Sequence, residues 1–145
     1  MTPEQARRRF ALAEVAYLAS VGADGAPHLV PVVFALAGET IYSVVDSKPK
    51  RVGGGELTRL RNLRANPAAA VLADHYEADW SRLWWVRADG RARVLGPSLQ
   101  EAARAVELLA ARYPQQRASG AVLAVDVTRW TGWSAAAAAD ATAIG

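Results

Sequence analysis

The stretch VAYLASVGADGAPHLVPVVFALAGETIYSVVD, residues 15–46, decides the fold. From Val15 the residues Ala-Tyr-Leu-Ala-Ser-Val have strand character, and Gly22-Ala-Asp-Gly25 then turns the chain. His28–Leu36 reads as a second strand, rich in β-branched and aromatic side chains. Ala37-Gly38-Glu39 returns the chain into a third, Thr40–Asp46. Connections this short join antiparallel neighbours. Pro31 falls inside the second strand, and its missing N–H marks a bulge or an edge.

On the N-terminal side, Thr2-Pro3-Glu4-Gln5 is a helix start: Thr2 as N-cap, Pro3 in the first turn and Gln5 as its capping-box partner. The helix should run to about Leu12, within an N-terminal helical segment 1–14. On the C-terminal side, Ser47–Gly55 is a loop and Leu57–Arg64 a short helix ended by Asn66-Pro67. Ala68–Asp74 is strand-length. Leu83–Leu95 is a long strand interrupted at Asp89-Gly90 by a hairpin turn or a bulge. Ser98 should cap a helix through Arg112, with Glu101 at the capping-box position and Pro114 beyond it. Ala121–Val127 reads as the last strand, and an alanine-rich tail, 134–145, follows Trp133.

No linker divides the 145 residues and no segment repeats, so one domain over 1–145 is expected. Short antiparallel strands with small helices between them suggest a closed or split barrel, since closure removes exposed edges. The expected class is mainly β.

Composition narrows the chemistry. The chain has no cysteine, which excludes disulfides, thiolate metal sites and cysteine nucleophiles. No run approaches the roughly 18–20 apolar residues of a membrane span. Arg7–Arg9 open no signal-peptide pattern, and a cytoplasmic location is expected. The net charge of +3 is uneven. Between Ser47 and Asn66 stand Lys48, Lys50, Arg51, Arg59, Arg61 and Arg64 against Glu56 alone, so this segment carries +5 and the remainder −2. Fork-shaped guanidiniums, ammonium groups and free N–H groups at a helix start suit a phosphate. A solvated basic face is the plainer alternative. With the remainder slightly acidic, nucleic acid is not expected as a partner.

Five tryptophans stand in two groups, Trp80, Trp84 and Trp85, then Trp130 and Trp133. Adjacent Trp84 and Trp85 must point to opposite faces of a strand, so one can be core while the other meets a planar ligand or a second chain. His28 and His75 have no second ligand at metal spacing, and no metal site is expected. Neither a nucleophile elbow nor a dinucleotide-binding glycine fingerprint is present. No catalytic residue stands out, so if the chain is an enzyme a cofactor does the chemistry.

The ordered stretches Pro31-Val-Val-Phe34, Ile41-Tyr42-Ser43, Ser47-Lys-Pro-Lys-Arg51, Leu60-Arg-Asn-Leu63 with Asn66-Pro67, Asp79–Arg87, Gly90-Arg-Ala92 and Trp130-Thr-Gly-Trp133 run over most of the chain. In these the sequence resembles the pyridoxamine 5'-phosphate oxidase-like split β-barrel family, and within it the actinobacterial branch that uses the deazaflavin coenzyme F420. The resemblance implies a six-stranded, FMN-binding-like antiparallel split barrel, a homodimer with cofactor sites at the interface. It implies that Ser47, Lys48, Lys50, Arg51 and Arg61 hold a cofactor phosphate. Pro31, Val32, Val33 and Phe34 would lie along the ring, with Tyr42 and Ser43 nearby. Trp85 stands where flavin-binding relatives carry glutamine, and Trp130, with Trp133 close by, where a partner chain often contributes a tryptophan. The C-terminal arginine-histidine-aspartate-arginine pattern of true pyridoxamine phosphate oxidases is missing, which argues against pyridoxal phosphate synthesis.

The function these features imply is hydride transfer from reduced F420 to a small unsaturated acceptor. His28, Tyr42, Tyr76 or solvent would supply a proton. An FMN-dependent oxidoreductase and a non-catalytic F420 carrier are the alternatives.

Overall fold

The computed structural model describes residues 1–46, 57–116 and 118–138. It opens with helix α1 (Pro3–Ala11). The Thr2 hydroxyl accepts from Gln5 N at 3.1 Å, and the Gln5 side chain accepts from Thr2 N at 2.8 Å, the reciprocal cap that satisfies two orphan donors. Strands β1 (Ala16–Val21) and β2 (Pro27–Val32) form a hairpin whose turn needs Gly25 at φ 84°, a backbone open to glycine and strained for other residues. Then come β3 (Ala35–Ala37), β4 (Thr40–Asp46), α2 (Thr58–Ala65), β5 (Ala68–His75), a 3₁₀ turn (Trp80–Arg82), β6 (Trp84–Leu95), α3 (Gln100–Arg112) and β7 (Ala118–Ser134).

The strands form one antiparallel sheet in the order β2-β1-β5-β6-β7-β4-β3. β2 and β3 are neighbours in sequence yet lie on opposite edges, so the sheet curls until its two edges are joined through Val33 and Phe34. This is a mainly β split barrel, with six strands when β2 and β3 count as one interrupted strand.

The expected continuous strand His28–Leu36 is therefore two, and its supposed pairing with Thr40–Asp46 belongs to β3 alone. The reason is local. Phe34 is fully buried with its ring 4.5 Å from Phe10, and its carbonyl accepts from Arg112 Nη1 at 2.8 Å instead of from a strand. Pro31 lies in an edge strand, where its missing donor costs no ladder bond.

Asp89-Gly90 is a bulge, not a hairpin. β6 runs straight through, and the register with β7 shifts so that Asp89 faces Arg129 and Gly90 faces Val127. β7 reaches Ser134, seven residues past the expected Val127; residues 135–138 are helical. The expected Ser98 cap is replaced by Leu99, with no side-chain cap bond, because Glu101 is taken by partners on the sheet.

Strand alternation sorts the core into two layers. Inside the barrel, Leu18, Phe34, Val71, Val86, Leu123 and Trp130 pack with Phe10 of α1 and with Leu60 and Leu63 of α2. On the outer surface, α3 buries Ala102, Ala105 and Leu109 against Tyr42, Val44, Leu95, Val122 and Ala124. Only half of the outer surface is covered in this way. Among the described residues no helix lies over the outer face of β2, β1, β5 and the start of β6.

Candidate functional site

That bare half of the sheet is a groove of about 750 Å³. The register builds its floor row by row. Tyr17, Leu72 and Arg87 are successive cross-strand partners, as are Asp74, Trp85 and Trp133. Leu29, Ala19 and Ala70 form a third row. Side chains at such positions share a face with Cβ atoms roughly 4.5–5.5 Å apart. At one end the walls are Tyr76, Trp80, Leu83 and Trp84. Large apolar groups are left open here: Leu29 is 67% exposed, Trp80 67% and Trp133 41%. An exposed apolar surface of this kind marks a ligand or partner site.

The adjacent tryptophans point to opposite faces of β6 as expected, but neither is a fully buried core residue and both line the groove. Trp84 packs partly buried against the barrel core while its ring also lines one end of the groove, and Trp85 faces Trp133 in register. The 3₁₀ turn that carries Trp80 is tied by Asp79, whose Oδ1 accepts from Ser81 N at 3.0 Å and Ser81 Oγ at 2.6 Å; these bonds hold the Asp79 carboxyl below its usual pKa.

Polar groups are few and specific. Arg87 rises from the floor and pairs with Asp89 at 3.0 Å. Its cross-strand neighbour Thr131 has a buried hydroxyl without a hydrogen-bond partner, as has His28 Nδ1, but neither residue lines the groove. His75 stands at the groove's end, its ring parallel to Trp84 with centroids 6.4 Å apart and Nε2 on Glu77.

The residues singled out from the sequence are only partly brought together. Trp85 and Trp133 line the groove, and Pro31 is exposed beside Tyr17. Val33 is half-buried in the link between the sheet edges. Val32 and Phe34 are inside the barrel. Trp130 is also inside, 8% exposed, edge-on to Phe10 at 5.3 Å, with its indole N–H donating to Glu39 at 2.7 Å. It stands away from the groove, on the opposite face from Trp133. Tyr42 lies under α3, where its hydroxyl donates to Glu101 Oε2 at 2.7 Å; burial and that carboxylate raise its pKa. Ser43 is buried on the next position of β4.

Arg61 is exposed on α2, its Nη2 3.4 Å from Thr58 Oγ1. Buried Asn62 beside it donates to Ser20 Oγ at 3.2 Å and pins α2 to β1. Ser47, Lys48, Lys50 and Arg51 lie outside the described residues. Of the three proton-donor candidates, only Tyr76 lines the groove. Sequence reading missed Tyr17, Leu29, His75 and Arg87 as one surface. Alternation within each strand placed them on a face, but the face exists only once the strand order is known. Among the described residues no three His, Asp or Glu side chains are grouped to hold a metal, and no helix is long and apolar enough to cross a membrane.

Solved structures share this fold. A FAD-binding protein from Mesorhizobium loti superposes with a TM-score of 0.70 at 19% identity, covering 91% of this chain and 94% of that one. A conserved hypothetical protein from Mycobacterium tuberculosis gives 0.73 at 19% identity over 93% and 86%. A heme storage protein from Vibrio cholerae gives 0.69 at 14% identity over 92% and 95%. No curated protein matches the sequence. Residues 2–134, from the α1 cap to the end of β7, match the family described as pyridoxamine 5'-phosphate oxidase, and the chain belongs to that family.

Proposed function

We propose that this chain is a homodimeric, cytoplasmic oxidoreductase of one domain that binds deazaflavin coenzyme F420 and serves hydride transfer to a small unsaturated acceptor. The observation that carries this reading is the outward pair Trp85–Trp133 on the wall of an apolar groove. A flat heterocycle has two apolar faces and a polar rim. The tryptophans suit the faces, and Arg87 suits the rim.

The basic segment suits the anionic arm. Arg61, with Ser47, Lys48, Lys50 and Arg51 before it in sequence, would hold phosphate and carboxylate groups. Trp85 is five residues from Gly90 along β6, a span of about 17 Å at strand rise, and Ala92 N–H bonds to Pro67 just after α2. The ring wall and the basic helix are thus at opposite ends of the same strands, which favours an elongated ligand.

When bound, the reduced deazaflavin supplies a hydride, and the acceptor's double bond takes that hydride and one proton. The chain's own part is to orient and to exclude water. Trp85 and Trp133 present a rigid apolar wall, and a second copy over the bare sheet face would close the groove. Tyr76, at the groove's rim, or solvent would give the proton.

Titration of the purified protein with F420, followed by tryptophan fluorescence, tests the reading. Micromolar binding together with turnover of an enone or quinone supports it. Tight FMN or haem binding with none for F420 overturns it, and tight F420 binding without turnover against enone, quinone and tetrapyrrole acceptors marks a carrier.

A further inference from the structure

Next to the groove is a second hollow of about 410 Å³, and its chemistry differs. Arg9 of α1 and Arg82 of the 3₁₀ turn line it, with His75, Ser81, Trp84 and Ser134. His75, Leu83 and Trp84 are walls of both the groove and this pocket. No carboxylate lines it among the described residues.

The donors here are largely unspent. The Arg9 guanidinium carbon lies 5.3 Å from the Trp84 ring centroid, and no carboxylate pairs with Arg9 among the described residues. Arg82 Nε lies 3.3 Å from Glu77 Oε1, and the Arg82 side chain is 69% exposed. Ser134 is buried, and its Oγ accepts from Ala137 N at 3.2 Å, which leaves its own proton to donate. Glu77 is engaged twice, by Arg82 and by His75, and so balances one positive charge at most. The hollow that adjoins it beyond Arg9 adds Arg8 and, among the described residues, again no carboxylate. Two forked cations and a hydroxyl around one small pocket are a donor set for a planar anion.

We propose that the pocket between Arg9 and Arg82 takes the carboxylate of a small planar acceptor whose ring lies against the aromatic end of the groove. Trp84 and His75, stacked and shared by both hollows, are the surface on which such a ring passes from one to the other. The acceptor role rests on the oxidoreductase reading; the anion site does not.

The test uses the full-length chain without cofactor, and two probes of equal shape, naphthoate and the neutral naphthamide. Quenching of tryptophan fluorescence reports binding. Naphthoate should bind about tenfold more tightly than naphthamide, the scale of one charge-assisted contact. Arg9→Gln and Arg82→Gln should each shrink that preference and the double variant should abolish it, while Arg129→Gln, on the far part of β7, leaves it intact. Arg9→Lys keeps a cation over Trp84 without the fork and should give an intermediate preference. Equal binding of acid and amide overturns the proposal. So does a preference that survives in the double variant, or one that disappears in Lys48→Gln or Arg51→Gln instead. Because no cofactor is present, none of these outcomes depends on the F420 titration.

Discussion

Arg93 and Glu101 are joined by two parallel hydrogen bonds of 2.9 Å, Nη1 to Oε1 and Nη2 to Oε2. The same carboxylate accepts from the Tyr42 hydroxyl at 2.7 Å, and Arg93 Nε reaches Asp126 at 2.6 Å. The Arg93 guanidinium thus ties α3 and β7 to β6, and the Glu101 carboxylate ties α3 to β4, over the half of the sheet that α3 covers. The Arg93 hydrogen bonds, then that of Tyr42, hold the Glu101 pKa at about 2 against an ordinary 4.5.

A carboxylate depressed in the folded state stabilises above its unfolded pKa and loses that contribution as pH falls through the folded one. The window here runs from pH 4.5 down to about 2. Stability should therefore decline over that range, and Glu101→Gln should flatten the decline. At neutral pH the variant should cost only about 1 kcal/mol, since both side chains are more than a third exposed and water screens the pair. Urea unfolding of both proteins across the range is the measurement. An identical pH slope in the variant would sink the assignment.

Trp130 and Trp133 should separate cleanly. Trp130→Phe removes the indole N–H from Glu39 and should cost about 1.5–3 kcal/mol of stability, with ligand affinity in the groove unchanged. Trp133→Ala, at a half-open position, should change stability by less than about 1 kcal/mol yet weaken binding of a planar ligand. Thermal melts and fluorescence titration of the two variants give the four values. The reverse pattern would remove the groove as the ligand site.

Gly90 tests the bulge. A Cβ there would stand 2.3 Å from the Asp126 carbonyl oxygen and 3.0 Å from its carbon, both backbone atoms that cannot swing aside. Gly90→Ala should cost about 2–4 kcal/mol, because β6 and β7 must part where the register shifts. Denaturant unfolding measures it, and a near-neutral effect would mean that the two strands separate there at little cost.

What was legible in the sequence follows the range of the forces involved. The Thr2–Gln5 cap, the Gly25 turn and α2 depend on neighbours a few residues away, and they were read correctly. The break at Val33-Phe34 depends on Arg112, 78 residues distant, and no local pattern announces it. Glu101 looked like a capping residue because its local context suits one; its partners on β4 and β6 outbid the cap. The opposite facing of Trp130 and Trp133 was within reach, since three residues of strand reverse the side, but only once β7 was known to extend past Val127. The bare half of the outer sheet was out of reach, because which strands α3 covers is a fact of topology alone.

Charge supplies the last prediction. If Arg61, Lys48, Lys50 and Arg51 grip the anionic arm of F420, added salt competes for those charge contacts, as it must at exposed Arg61. Screening reaches about 10 Å at 0.1 M ionic strength, so affinity should fall steadily as salt rises. FMN offers one phosphate, whereas F420 adds the carboxylates of its glutamate tail; more charges held means a steeper slope. Arg61→Ala should lower affinity by about tenfold and reduce the slope, and Lys48→Ala should do the same in smaller measure, an ammonium lacking the bidentate fork. Titrations of wild type and both variants at several salt concentrations give slope and affinity together. An affinity for F420 that ignores salt, or an Arg61→Ala variant that binds as wild type does, would return this segment to a solvated basic face.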